Sequence, residues 1–380
     1  MHSTAHPTPL PARTHVAIVG AGPTGLALAV TLASAGIDFV IVDRLAEGAN
    51  TSRAAVVHAR TLEVLHELGA SEDLISRGLP VTRFAVRDGS RRLITVPFDK
   101  LPTAFPYTLM VPQYETEAVL VARLHALGGE VHRPYQVASV SQDEDGVMLT
   151  MGTGETLQAA YAVGADGMHS AVREASGIGF TGNAYAESFV LADVTMDWAP
   201  GPEEVSLTFG VAGLTVVAPL PNGHYRIVAT VEEAPESPDL DFVQRLLDER
   251  TTVRAEITSL AWSSRFRVHH RVADQYRAGR LLLAGDAAHV HSPAGGQGMN
   301  TGIQDGYALG RAFATGTLDG YEARRRPVAQ RVVAFTDRMT HMATTRSAAA
   351  RAARNVALPM LGRIPAFRTR LATELAELNY

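Results

Sequence analysis

Three groups of glycines and carboxylates in this chain have spacings suited to a ligand that carries phosphates. The first is the run VAIVGAGPTGLALAV, with Gly20, Gly22 and Gly25, followed by DFVIVD ending at Asp43. A G-x-G-x-x-G of this kind lets the chain turn tightly at Gly20. It also admits a pyrophosphate to bare backbone at Gly22 and packs helix on strand at Gly25. Pro23 and Thr24 would open a helix whose N-terminal N–H groups favour negative charge. Asp43 would accept hydrogen bonds from a ribose hydroxyl pair. Arg44 beside it, and Arg53 and Arg60 further on, are placed to reach a phosphate or a ring edge, or simply to lie on the surface. A tight turn with no ligand is the alternative, and the motif alone does not separate FAD from NAD.

The second group is GADGMHSAVR, with Asp166, Gly167, Ser170 and Arg173; Asp166 and Arg173 could equally form a structural ion pair. The third is LLLAGDAAHVHSPAGGQGMNTGIQDG, with Asp286, Pro293, Gly298, Met299 and Asn300. His289 and His291 are spaced like a metal pair, but no carboxylate or third histidine stands at ligand spacing. They read as packing residues, and no metal is assigned.

The elements that must position these groups are legible in outline. THVAIVG and DFVIVD are buried parallel strands on either side of the helix PTGLALAVTLAS, which Gly36 stops. TLEVLHEL is a helix ending at Gly69. FAVRDGSRRLITVPF is a hairpin turning at Asp88-Gly89. YETEAVLVARLHALGG is a helix with Gln113 just ahead of it. QVASVSQDEDGVMLTMGTGETLQAAYAVGADG is a three-stranded meander. From Gly182 to Gln275 the texture becomes β-rich. The strands there are SFVLADVTMD, EVSLTFG, GLTVVAPL and HYRIVATV, interrupted by the helix DFVQRLLDER; Tyr225 and Arg226 lie on the last strand. GRLLLAGDAAHV then returns to a buried strand, followed by long helices. The final alanine-rich, arginine-studded segment reads as a solvated or dimer-contacting helix, with a membrane-surface role as the alternative.

The chain has 380 residues, 46% of them hydrophobic, a formal net charge of -5 and no cysteine. The length suits two or three domains. The charge argues against a nucleic-acid partner. The absence of cysteine excludes disulfides, thiolate metal sites and iron–sulfur clusters, and fits a cytoplasmic setting. No run is apolar enough to span a membrane. The polar, proline-rich start carries no signal-peptide pattern and is expected to lack fixed structure.

Taken together, in this order, the three motifs resemble those of the class A flavoprotein monooxygenases. This is the para-hydroxybenzoate hydroxylase family, in its aromatic-polyketide and phenol hydroxylase branch. The resemblance covers roughly residues 16–327. It implies an α/β fold: a Rossmann-type, glutathione-reductase-like FAD domain built from 14–80, 104–180 and 276–345. A β-rich substrate domain from 81–103 and 181–275 is inserted into it, and 346–380 forms a C-terminal helical segment. It further implies that Asp286 binds the ribityl chain and that backbone N–H groups near Gly298, Met299 and Asn300 face the flavin N1–C2=O edge. Pro293 would line the substrate side and Gln113 would touch FAD. Asp166 and Arg173 would serve FAD and a transient NADPH or NADH. The implied reaction hydroxylates an aromatic ring with O2 through a C4a-hydroperoxyflavin, in a monomer or homodimer, with no catalytic base assigned. Epoxidation or Baeyer–Villiger oxidation on the same fold, or a flavin-binding protein that holds an intermediate without turnover, are the alternatives. The short connection RAFATGTLDG is expected to shorten the helix beside the flavin loop.

Overall fold

The computed structural model describes residues 9–48, 54–210, 213–293, 295–345 and 347–379. Of the N-terminal tail expected to lack fixed structure, residues 1–13, the first eight lie outside the described residues, as does Arg53, while Arg13 already begins the first strand.

Strand Arg13–Val19 is the centre of the first sheet. It runs parallel to Phe39–Val42 on one side and to Thr156–Gly164 on the other. Leu281–Leu283 and Val131–His132 extend the sheet in the same sense. Val16, Ala17 and Ile18 are completely buried, as an apolar run covered on both faces requires. The meander Val137–Gln142, Val147–Met151 hangs antiparallel from Thr156–Gly164.

The helix Pro23–Ser34 is buried from Gly25 to Leu32, so it has no polar face. It packs against the sheet and against helices Gln113–Ala126 and Gly298–Thr315. Gln113, expected just ahead of its helix, is the first residue of it. Contact with Gly298–Thr315 is made through glycines four residues apart. A Cβ at Gly302 would lie 2.4 Å from Thr24 Oγ1, and one at Gly306 2.3 Å from the Thr24 carbonyl oxygen. One at Gly310 would lie 2.5 Å from the Thr31 methyl. The two helices therefore meet backbone to backbone. Gly298–Thr315 is 18 residues long and ends at Gly316 in the left-handed conformation.

The second sheet has eight strands in the order His289–Val290, Ala255–Ala273, Phe180–Trp198, His224–Val231, Gly213–Pro219, Glu204–Gly210, Arg83–Asp88, Arg91–Pro97. All neighbours are antiparallel except Glu204–Gly210 beside Arg83–Asp88, the joint by which the early hairpin enters the sheet. The 19-residue strand Ala255–Ala273 went unread in the sequence, because its second half, RFRVHHRV, carries charge where a half-buried strand usually shows apolar alternation. Phe180–Trp198 pairs with it from end to end, with register shifts at Ala184/Ser188, Asp193/Val194 and Thr195/Met196. Leu240–Arg250, capped by Asp239 accepting from the Phe242 N–H, covers this sheet with Val243 and Leu247.

The C-terminal segment, expected as a solvated or dimer-contacting helix, is solvated over most of its length and buried mainly near its end. It forms two helices, Ala348–Leu361 and Pro365–Leu375. The first exposes Val356 and Met360, but the second buries Ala372, Leu375 and Ala376 among Phe84, Phe98 and Leu207. Tertiary packing claims that end, which no periodicity in the segment announces.

The glycine contact has a measurable sign. Gly306→Ala gains about 1 kcal/mol of helix propensity, but its methyl meets a backbone oxygen that cannot move aside. We expect a net loss of about 1–3 kcal/mol in chemical denaturation. An unchanged or raised stability would show that the helices are not held at backbone contact.

Candidate cofactor groove and active site

One cavity of about 640 Å³ runs between the two sheets, within the range of small-molecule sites. Gly20, Ala21, Gly22, Pro23 and Thr24 form one end of it, together with Asp43 and Arg44. Gly20 takes φ +102°, and a Cβ there would strike the Ala165 carbonyl at 2.3 Å. Gly22 has open space where a Cβ would be. Gly25 faces away, against the Gly20 carbonyl. The helix that starts at Pro23 has no side-chain cap, so its first N–H groups are available to a ligand.

Asp43 is held rigidly. Its carboxylate accepts from the N–H of Ala21 at 2.7 Å and of Leu45 at 2.8 Å, and Arg133 stands 3.3 Å away. Arg133 also lines the groove. No motif marks it; it arrives through the parallel pairing of Val131–His132 with the strand before Asp43. Gln113 lines the groove too. It accepts from the Ala54 N–H at 3.3 Å and donates to Glu117 at 2.8 Å.

Asp166 reaches the groove from the loop after Thr156–Gly164. Burial pushes its carboxyl up, against the Ser170 hydroxyl and the Ala171 N–H that bond it. It forms no ion pair with Arg173 among the described residues. Arg173 instead donates to the carbonyls of Ala287 at 2.8 Å and Met168 at 2.7 Å and lies 4.0 Å over the Phe180 ring. Its role is to clamp the second motif to the third.

Asp286 is exposed into the groove from a single 3-10 turn, Gly285–Ala287. Beneath that turn lies Asp305, completely buried. It accepts from the Gly285 N–H at 3.2 Å, bonds His289 Nε2 at 2.6 Å and pairs with Arg325 at 2.5 Å. Burial alone would raise the Asp305 carboxyl, but Arg325 and His289 outweigh it and hold it below the usual carboxylate range. Asp305 is thus the carboxylate partner of His289 that spacing along the chain did not reveal. Among the described residues no cluster of histidines and carboxylates is arranged for a metal.

Pro293, Gly298 and Met299 line the groove at the uncapped start of Gly298–Thr315. Asn300 does not. It is completely buried, donating to the carbonyls of Val56 and Gly296 and accepting from the His58 N–H at 2.8 Å. Its side chain ties this loop to strand Val56–Val57. Arg60 also points elsewhere, to Glu63 and the Leu378 carbonyl.

The far half of the cavity is apolar, walled by Phe84, Leu207, Val216, Val228 and Phe266 of the second sheet, by Phe98 just after its last strand, and by Leu375 from the C-terminal helix. Arg226 joins the two halves. Completely buried, it grips Asp193 with two bonds of 2.7 Å and donates to the Ala54 carbonyl at 2.9 Å. Basic residues gather at one edge: Arg267, His269 and His169 line the groove, and Arg271 stands near. Two uncapped helix N-termini, three aspartates and a bare glycine backbone on one groove fit a dinucleotide whose ring gains negative charge on reduction. The residues present therefore suit FAD.

His58 and His291 line the cavity with pKa values lowered to about 4 by burial, against a backbone hydrogen bond each. Both are neutral at pH 7 and can accept a proton. The unfolded chain protonates them near 6.5, so the stability they confer is complete above that pH and is lost as pH falls towards 4. Each contributes on the order of 3 kcal/mol to that acid sensitivity. Urea midpoints between pH 7 and 4 should drop more steeply in the wild type than in His291→Asn; equal slopes would disprove the assignment.

The FAD binding domain family matches residues 13–336 of the chain. The 6-methylpretetramide 4-monooxygenase of Streptomyces rimosus is 37% identical over 94% of this chain and 67% of its own length. The rifampicin monooxygenase of Streptomyces venezuelae is 36% identical over 87% of this chain and 72% of its own length. The crystal structure of p-nitrophenol 4-monooxygenase from Pseudomonas putida superposes with a TM-score of 0.86 at 26% identity, covering 97% of this chain and 98% of that one. With one groove collecting all three motifs and a family match over most of its length, the chain belongs to the class A FAD-dependent aromatic hydroxylases and is a flavin-dependent monooxygenase.

Proposed function

We propose that this enzyme uses NAD(P)H and O2 to add one oxygen atom to a phenolic or polyketide-type ring held in the apolar half of the cavity. The observation that carries this reading is the continuity of the cavity. The dinucleotide end, with Asp43 and Asp286, opens directly into the chamber walled by Phe84, Phe98 and Phe266. FAD, when bound, supplies the electron transfer and oxygen activation that side chains cannot.

In this reading the chain's own residues bind, orient and exclude. The N-terminus of Pro23–Ser34 and the bare Gly22 backbone hold the pyrophosphate, with Arg44 near it. Asp43 takes the ribose hydroxyls and Asp286 the ribityl hydroxyls, while Gln113 supports the middle of the dinucleotide. The N-terminus of Gly298–Thr315 favours the ring edge that gains negative charge on reduction, beside Pro293. The basic edge of Arg267, His269 and His169, with Asp166 opposite, receives the transient nicotinamide nucleotide. His58 and His291, neutral on the wall, can hydrogen-bond a substrate hydroxyl, but burial makes both too weakly basic to take its proton. The apolar wall keeps water from the reacting centre. The sheets correspond to an FAD domain and an inserted substrate domain, in a cytoplasmic monomer or homodimer.

The decisive experiment is substrate-stimulated NADPH or NADH oxidation with oxygen uptake, screened with p-nitrophenol and rifampicin as small and large probes. A product one oxygen atom heavier is expected; failure of every phenol and polyketide to accelerate flavin reduction would overturn the substrate class. Two variants test the groove. Gly22→Ala should leave stability unchanged, since its methyl meets nothing, yet weaken FAD. Asp286→Ala should weaken FAD by roughly 10- to 100-fold, the value of about 1.5–3 kcal/mol for hydrogen bonds to a charged group. Titration of apoprotein with FAD reads both.

A further inference from the structure

The last residues of the chain are placed where no motif asked for them. Leu375 ends the helix Pro365–Leu375 and lines the cavity beside the flavin-loop residues Gly295 and Gln297. The chain then wraps back on itself. The Leu378 N–H donates to the Thr373 carbonyl at 3.1 Å and the Glu377 N–H to the Glu374 carbonyl at 3.1 Å. Glu377 therefore occupies the left-handed position, φ +59°, that closes such a helix end and normally falls to glycine. A carboxylate is kept there despite the backbone strain, and its side chain is completely buried. It accepts from Gln304 Nε2, on the helix whose N-terminus forms the flavin loop; Gln304 also donates to Thr61. The backbone is pinned on the other side, where the Arg60 N–H donates to the Ala376 carbonyl at 3.2 Å.

We propose that Leu375 is a specificity-determining wall of the substrate chamber and that Glu377 is the positioning residue that latches it to the flavin-loop helix. The proposal rests on the reading of the apolar half of the cavity as the substrate chamber. A strained conformation and a buried acid at one residue, both directed at the same neighbouring helix, are local costs sustained for a placement. Substrate bulk meets Leu375 because it packs with Phe84, Phe98 and Leu207, which line the same apolar half of the cavity.

The latch is sensitive to pH in a defined sense. Burial raises the Glu377 carboxyl to about 8, against Gln304, Arg325 and Thr301, which favour its charged form, and with Asp305 opposing it. Arg60 and Glu63, bonded to each other, are the charged pair on the facing helix. Docked Glu377 is protonated at pH 7, and undocked it titrates near 4.5. Docking is strongest at low pH, weakens as pH rises through this window, and levels off above about 8.

Two measurements test the proposal on the FAD-loaded full-length protein. Trypsin cleavage at Arg370 is followed from pH 6.5 to 9 for the wild type and Glu377→Gln, which keeps the Gln304 contact without an ionisable group. The wild-type rate relative to the variant should climb, at most about tenfold per pH unit, and flatten above about 8; parallel curves overturn the latch. Iodide quenching of the bound flavin is then compared in the wild type and Leu375→Ala at equal FAD saturation. Quenching should at least double in the variant; equal quenching overturns the wall. Both readouts work without turnover, so they stand even if the substrate screen fails. Where the probes are turned over, Leu375→Ala should shift kcat/KM by about tenfold towards rifampicin over p-nitrophenol, and no shift removes the claim of specificity.

Discussion

Everything in this active site depends on how closely two helices approach each other. Pro23–Ser34 and Gly298–Thr315 touch through Gly302, Gly306 and Gly310, with separations that leave no room for a single methyl. Side chains of ordinary size would hold helix axes about 8–10 Å apart. Here the stripe of glycines removes that spacing over three successive contacts. The consequence is geometric. Both helix N-termini, each without a side-chain cap, come to the same groove, one at the Gly20–Gly25 turn and the other at the loop before Gly298. A dinucleotide cofactor needs that separation at both ends at once.

The glycine contact is held in place by buried charge. Asp305 projects from the same helix and gathers the Gly285 N–H, His289 and Arg325 beneath the turn that presents Asp286. Such a buried pair returns little net stability, because desolvating its charges offsets their attraction. What it does supply here is a fixed position for an exposed carboxylate on a one-turn helix that could not otherwise hold still. Arg226 has the equivalent role between the sheets. Its guanidinium spends all its reach on Asp193 and the Ala54 carbonyl, tying the second sheet to the loop that Gln113 supports.

The cavity between these supports changes character along its length. Backbone N–H groups and carboxylates line one end, and apolar side chains of the second sheet line the other. Polar backbone at the first end suits a charged cofactor, and the second end is apolar. Oxygen chemistry on a flavin requires that gradient, since water at the reacting centre diverts it. The C-terminal helix completes the apolar end, so a segment remote in sequence becomes part of the wall.

The glycine turn, the strand–helix–strand around it, the meander and most strands of the second sheet could be read from the chain, because their signals are local. Apolar periodicity, turn residues and three short motifs report backbone geometry within a few residues. Gly302, Gly306 and Gly310 were also in plain view at a spacing of four, yet only the packed helix opposite gives that spacing a meaning. The rest was decided by contacts between distant segments. Asn300 turned inward to Val56 and His58, and Arg173 clamped carbonyls in place of pairing with Asp166. Asp305 found His289, Arg133 came in on a neighbouring strand, and Leu375 reached the chamber. Each of these is a side chain whose partner is set by burial and by competition for hydrogen bonds. Those quantities exist only once the chain has closed on itself.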